Sequence, residues 1–333
     1  MSATLEQPLQ VHIRQPLGSI VPTDRMRVVR LGLMVGYVVF LLWWSHEKGM
    51  IWQRLAVAAF LGGFLLCAYI GRSWRTWALL VVDVLFYCAM WWTYESTRGV
   101  ADEGIFGVKF PLQVETPRNI DRAMFFGHDP NVVLQNRFWH SQVFWWDKVA
   151  STVYFTHFIV PPIVMGALWA VNRLQWWRFM KRFATTIVVA CVSFVVMPTV
   201  PPWLAAKKHV IDPIHRETGR GFSAMGFHAY SNQWKISTTW GNAVAAMPSL
   251  HASFALIVPA FFLPWIKPIW LKALVLMFPI VMLVSLVYLG EHWVIDGLAG
   301  WVIVAGSFAF WNWHEQRRRN LRAGRAVAAM AQP

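Results

Sequence analysis

Charge is scarce in this chain. Only 14% of its 333 residues are charged and 57% are hydrophobic, whereas roughly a quarter of residues are charged in soluble globular domains. That shortage excludes an ordinary soluble domain. Cysteine is scarcer still: Cys67, Cys88 and Cys191 all fall inside apolar runs and share no metal-ligand spacing. They read as buried thiols, so neither a disulfide framework nor a metal site is indicated. The apolar runs are continuous and lack strict alternation, which argues against a β-barrel. Nothing at the N-terminus resembles a cleaved signal peptide. Residues 1–24 are polar, carry Pro8, Pro16 and Pro22, and read as a mobile tail.

Long apolar sequence is what the chain has instead. A bilayer takes about 20 residues of helix to cross. Eight candidate spans emerge, at roughly residues 28–45, 54–71, 76–94, 150–171, 183–199, 249–266, 270–289 and 292–313. The expected fold class is an all-α polytopic membrane protein with about eight transmembrane helices. The 22 tryptophans agree with this. Pairs such as Trp43-Trp44, Trp91-Trp92, Trp145-Trp146 and Trp176-Trp177 lie near run ends, where indoles favour the membrane–water interface. Two mixed stretches interrupt the runs, at about residues 95–149 and 200–248.

Acidic residues number 16 against 30 Lys and Arg, a net charge of +14. In a soluble protein that excess would suggest nucleic acid. Here much of it sits in short segments beside apolar runs, so membrane orientation explains it and no nucleic-acid partner is expected. Arg25, Arg27 and Arg30 precede the first span, and Arg72 and Arg75 follow the second. Arg173, Arg178, Lys181 and Arg182 separate the fourth and fifth, and Arg317, Arg318, Arg319, Arg322 and Arg325 follow the eighth. All four segments fall on one side of an eight-span topology, and the positive-inside rule makes that side cytoplasmic. The expected location is the cytoplasmic membrane, multi-pass, with both long mixed stretches on the far side.

Two short strings carry candidate chemistry. Pro248-Ser249-Leu250-His251 stands where a polar stretch gives way to the sixth run, and Glu291-His292-Trp293-Val294-Ile295-Asp296 opens the eighth. The topology puts both at the extracytoplasmic face. His292 and Asp296, four residues apart, share one face of a helix, and a carboxylate beside an imidazole fixes its tautomer and stabilises its cation. Spacing alone equally allows a structural His–Asp bond that pins two helices. Proline at a first helical position leaves free N–H groups pointing outward, an anion site to which Ser249 adds a donor and His251 a proton. An ordinary helix start with an interfacial histidine would read the same way.

Together the strings resemble the second and third signature motifs of the type 2 phosphatidic acid phosphatase superfamily, Pro-Ser-x-His and then a histidine followed four residues later by an aspartate. The Leu250 form, with Glu291 through Gly300, looks like the branch of inositol phosphorylceramide synthases and their bacterial relatives. Tyr94-Glu95-Ser96-Thr97-Arg98-Gly99, Tyr154-Phe155-Thr156-His157-Phe158 and Pro198-Thr199-Val200-Pro201-Pro202-Trp203 are similar to that branch as well. The resemblance implies a six-helix core within a catalytic domain at 76–313, preceded by a tail at 1–27 and two accessory helices at 28–75, and followed by a basic cytoplasmic tail at 314–333. It implies a membrane phosphotransferase in which His292 attacks phosphorus, Asp296 orients it and His251 protonates the leaving group, with no metal or other cofactor. The partners would be a lipid phosphate donor, an alcohol or water acceptor, and membrane lipids. A lipid phosphate phosphatase, a scaffold without activity and a transporter are the alternatives.

Two departures bear on the phosphate clamp. The family's third motif has an arginine six residues before its histidine, where this chain has Leu286, and the first-motif lysine and arginine are not found before Pro198. The clamp is therefore expected from Ser249, Arg98 and Lys148, with Lys207, Lys208, Arg216, Arg220 and Lys235 behind them. Asp83, mid-span, is expected to pair with a neighbouring helix, and His157 to make a packing hydrogen bond. Residues 95–149, rich in Phe and Trp, read as an interfacial segment over the site that guides a lipid sideways from the bilayer.

Overall fold

The computed structural model describes residues 24–48, 54–103, 110–216, 218–228, 230–232 and 244–330. The apolar runs are helices. In chain order these are α1 (Asp24–Lys48), α2 (Arg54–Tyr69) and α3 (Trp74–Glu103), then the short α4 (Glu115–Met124) and α5 (Pro130–Phe138). Next come α6 (Trp145–Val171), α7 (Arg173–Val196) and the short α8 (Pro202–Lys207) and α9 (Arg220–Ala224). The chain closes with α10 (Leu250–Phe262), α11 (Ile269–Tyr288) and α12 (Val294–Met330). Among the described residues six helices are long and apolar enough to cross a membrane, and Ala56–Tyr69 and Leu250–Trp265 are shorter apolar helices. The molecule is an all-α multi-pass membrane protein.

Several boundaries differ from the hydropathy reading. α7 begins at Arg173, well ahead of the run at 183, because Trp176, Phe179 and Met180 pack into the core between basic residues that dilute the local hydropathy. The basic segment after 313 continues α12 as helix to Met330. Trp43, Trp92 and Trp145 are exposed, but Trp176 is 4% exposed and belongs to the core. Cys191 is buried, while Cys67 and Cys88 are only partly so.

α10 is the central helix, packed on α6, α7, α11 and α12. Its residues explain this: Ala252, Phe254, Ala255, Ile257 and Phe261 are buried around the helix, and a helix apolar on all sides belongs in the interior. One cluster joins Phe179, Phe183 and Ile187 of α7 to Phe254, Ile257 and Phe261 of α10. A second joins Tyr154 and Phe155 of α6 to Ala252 and Ala255 of α10 and to Met282 and Leu286 of α11.

Buried charges at one end of the bundle are paired. Asp83 accepts from Arg173 Nε and Nη2 at 2.6 Å each and from Trp169 Nε1 at 2.7 Å. Arg182 donates to Asn312 Oδ1 at 2.7 Å and lies 3.3 Å from Glu315 Oε1. Glu315 is about 30 Å along α12 from its start, at 1.5 Å per residue. The opposite end is tied by main chain: Thr199 forms isolated parallel bridges with Gln113 and Ala245, linking the segments before α4, after α7 and before α10.

α10 and α12 approach closely at Gly300. A Cβ there would lie 2.6 Å from the Ser249 carbonyl oxygen and from Ser253 Oγ. Gly300→Ala is expected to push the two helices apart and to cost about 1–3 kcal/mol by overpacking. Thermal unfolding of the purified variant in detergent checks this.

Candidate active site

The start of α10 and the start of α12 lie side by side at the tied end. Ser249 is the N-cap of α10, its Oγ accepting from Ala252 N at 3.3 Å, and its own N donates to the Asp296 carbonyl at 2.8 Å. Pro248 therefore precedes the helix rather than opening it, and His251 is the second helical residue. The Ser249 side chain is fully buried, and capping is the role its contacts display.

His292 precedes α12, which begins at Val294, so His292 and Asp296 do not sit on one regular helix face. The Asp296 carboxylate folds back over the turn instead. Its Oδ2 lies 3.2 Å from His292 Nδ1 and accepts from Trp293 N at 2.9 Å. On the other ring edge, His292 Nε2 lies 3.0 Å from His251 Nδ1. The structure thus joins His251, His292 and Asp296 in one continuous chain. Asp296 is 0% exposed and His292 6%, while His251 is half-buried.

α6 supplies two neighbours. Tyr154 OH lies 3.1 Å from His251 Nε2. His157, whose Nδ1 bonds the Tyr154 carbonyl, packs its ring edge-on against His251 with centroids 3.9 Å apart. The His157 bond runs within α6, to the carbonyl three residues back, rather than to another helix as a packing bond would, and its ring walls the site.

The turn carrying His292 is held from outside the bundle. Asp121 of α4 accepts from Val294 N at 2.7 Å and Ile295 N at 2.9 Å, capping α12. Asn131 of α5 donates to the carbonyls of Val287 and His292 at 2.8 and 3.1 Å, and Gln135 donates to that of Tyr288 at 2.7 Å. Part of the 95–149 stretch is therefore a polar brace on the His292 turn, which sequence reading missed. Residues 104–109 of it lie outside the described residues.

The phosphate-clamp candidates separate. Arg98 falls in α3 and Lys235 in the loop, and the Arg98 side chain and all of Lys235 lie outside the described residues. Lys148 is half-buried in the first turn of α6. Lys207 lies over the Trp203 ring, and Arg220 donates to the His140 and Gln142 carbonyls. Arg216 is the cation brought to the His292 turn. Its Nε and Nη2 bond the Glu291 carboxylate at 3.0 to 3.2 Å, Thr218 Oγ1 donates to Glu291 at 2.6 Å, and its guanidinium covers the Trp203 ring at 4.1 Å. Leu286, at the family's usual arginine position, is 0% exposed in the packing of α11 against α6 and α10. The legible signal for Arg216 was Glu291, a carboxylate beside the nucleophile candidate that requires a cation when buried.

A family model of the PAP2 superfamily matches residues 118–310. The chain belongs to the PAP2 superfamily. No curated protein matches it, and no solved structure does. PAP2 superfamily membership supports activity of the lipid phosphatase or phosphotransferase type. The matched stretch begins within α4 and contains the site's three chain-linked residues, the α4 and α5 brace, Tyr154, Arg216 and Glu291.

Burial pushes the Asp121 carboxyl up from 3.8 to about 7, against the two backbone N–H bonds that favour its charged form. The folded state holds this proton more tightly than the unfolded chain does. The resulting stabilisation is complete below about pH 4 and is lost as pH rises through about 7. Asp121→Asn is expected to flatten that slope, and Asp121→Ala to cost about 1–2 kcal/mol by uncapping α12. Melting temperatures at pH 5 and pH 8 for the two variants and the parent protein check both.

Proposed function

We propose that this PAP2 superfamily protein is a membrane phosphotransferase that acts on a lipid phosphate through a phosphohistidine at His292, similar to inositol phosphorylceramide synthase. The observation that carries the reading is the unbroken chain from His251 to His292 to Asp296, with heavy-atom separations of 3.0 and 3.2 Å. A nucleophile bonded to an acid–base group on one side and to an orienting carboxylate on the other is the arrangement that covalent catalysis requires.

Asp296, which also accepts from Trp293 N, keeps a proton on His292 Nδ1 and leaves the Nε2 lone pair for attack. The Nε2–phosphorus bond forms as the bond from phosphorus to the leaving oxygen breaks. That oxygen keeps the electron pair and takes the proton from His251 Nδ1. The cationic phosphohistidine is balanced by Asp296. His251 then removes the proton of the acceptor hydroxyl, whose oxygen bonds phosphorus as the pair returns to Nε2. An alcohol acceptor completes a transfer and water a hydrolysis.

Arg216 supplies the positive charge near phosphorus in this reading. Glu291 immediately precedes His292 and grips Arg216 through both oxygens, which fixes a permanent cation beside the nucleophile. Arg98 and Lys148 are further contributors to phosphate binding, whereas Ser249, fully buried as the cap of α10, contributes by fixing the helix start that carries His251. The basic residues at the start of α1, around the start of α3, in the first turns of α7 and in the last turns of α12 support a cytoplasmic location for the end that holds Asp83–Arg173. The site then opens on the extracytoplasmic face of the cytoplasmic membrane. In this reading the aromatic residues of 110–149 meet the lipid headgroups there.

Purified protein in lipid nanodiscs, given phosphate-labelled phosphatidic acid or phosphatidylinositol with and without ceramide, tests the reading. The expected result is a new labelled lipid that requires the alcohol acceptor; release of free phosphate alone would make the enzyme a phosphatase. His292→Ala is expected to lower turnover at least about a thousandfold and to abolish acid-labile, base-stable labelling of the protein. Arg216→Lys keeps the charge but loses the bidentate grip, and is expected to reduce kcat/KM about ten- to a hundredfold.

A further inference from the structure

His251 gives a proton in one half-reaction and takes one in the next, so its ring must be held in both states. The nitrogen that faces the reaction is Nδ1, 3.0 Å from His292 Nε2; the other, Nε2, meets Tyr154 OH at 3.1 Å. We propose that Tyr154 is a positioning residue whose hydroxyl holds His251 Nε2 in both protonation states, so that every proton exchanged during transfer moves through Nδ1. The proposal deepens the phosphohistidine reading and rests on it.

The bonds leave one consistent polarity for the neutral site. An ionised Asp296 only accepts, so His292 donates from Nδ1 and its Nε2 is bare. A bare Nε2 only accepts, so His251 carries its proton on Nδ1. His251 Nε2 is then bare in turn and accepts from the Tyr154 hydroxyl. When His251 is the imidazolium that protonates the leaving oxygen, Nε2 carries a proton too, and the phenol oxygen accepts it after rotation of the O–H. The same oxygen accepts still when Nδ1 has lost its proton and stands ready as the base. A carbonyl in this place could only accept. A carboxylate would hold His251 as a permanent cation. A phenol serves all three states without moving a heavy atom.

The scaffold aims the hydroxyl. Tyr154 is 2% exposed, with its ring centroid 4.7 Å from that of His251. The start of α6 is fixed by Asp147, which accepts from Tyr288 OH at 2.6 Å, and by Ser151, which accepts from Gly221 N at 3.1 Å. The ionisable groups around this pair are His157 on α6, His292 and Asp296 at α12, Arg216 and Glu291 beside them, and Tyr94 from α3. None of these provides the bond to His251 Nε2 that Tyr154 does among the described residues.

Tyr154→Phe removes one oxygen and keeps the ring. A charge-assisted bond from the imidazolium is stronger than the neutral one, so its loss disfavours the acid form. With the phosphatidic acid or phosphatidylinositol assay above, kcat is expected to fall about ten- to a hundredfold, KM to change less than about threefold, and the alkaline limb of the pH–rate profile to move to lower pH by about one unit. A merely structural tyrosine would lower the melting temperature and leave that limb in place. An unmoved limb with kcat within about twofold of the parent, beside an inactive His292→Ala enzyme, overturns the role of Tyr154 alone. An active His292→Ala enzyme overturns the phosphohistidine reading and the proposal with it. A spectroscopic measurement on the parent protein needs no turnover. Nitrogen-15 spectra of labelled histidines in the substrate-free enzyme, with His251 assigned by His251→Gln, should show neutral His251 protonated at Nδ1 with a hydrogen-bonded Nε2, and an Nε2 without a hydrogen bond overturns the proposal.

Discussion

A carboxylate without solvent contact stands at the start of α12, where a single oxygen of Asp296 receives both the Trp293 N–H and the His292 ring. Ionised groups in an apolar bundle are costly unless their partners are fixed, and here the partners are fixed by the backbone itself. The Asp296 carbonyl binds Ser249 N, so the residue that orients His292 also joins the start of α12 to the cap of α10. His251 is two residues beyond that cap. The placement of His251 relative to His292 is therefore set by one short stretch of main chain. Gly300 lets the two helices come close enough for it to form.

The short helices outside the bundle extend the same logic. A turn between two spanning helices exposes main-chain carbonyls and N–H groups that need partners, and it cannot obtain them from apolar side chains. Asp121, Asn131 and Gln135, all at most 5% exposed, provide them to the 287–295 turn. Trp293 Nε1 adds a bond to the Val200 carbonyl, and Gly290 O accepts from Trp203 N. The turn carrying His292 is thus held by polar groups from three separate stretches of chain. In the proposed mechanism that rigidity serves the alignment that attack requires.

Bidentate arginine–carboxylate pairs occur at both ends of the molecule with different consequences. Arg173 and Asp83 join α7 to α3 beside Trp169, far from the histidines, where the pair fastens helices. Arg216 and Glu291 make the same bond at the residue that precedes His292. The two bonds are alike in geometry and differ in their position relative to the chain of imidazoles.

The sequence by itself determined the class of protein and singled out the candidate residues of the site. Apolar runs of spanning length need no tertiary information to be read, because lipid forces their backbone into helix. His292 and Asp296 were legible because only 4 positions separate them, and His251 because Pro248 and Ser249 mark a helix start just before it. Even there the tertiary structure changed the detail: Pro248 lies outside the helix, and Asp296 reaches His292 across a turn rather than along a face. Other features were decided only by folding. Arg216 meets Glu291 across 75 residues, and Tyr154 meets His251 across 97. Asn131 reaches the His292 carbonyl across 161. Contacts at such separations leave no period or spacing in the chain, because they depend on how helices pack and not on how each one forms. The three candidate residues were legible locally; the cation beside them and their brace were not.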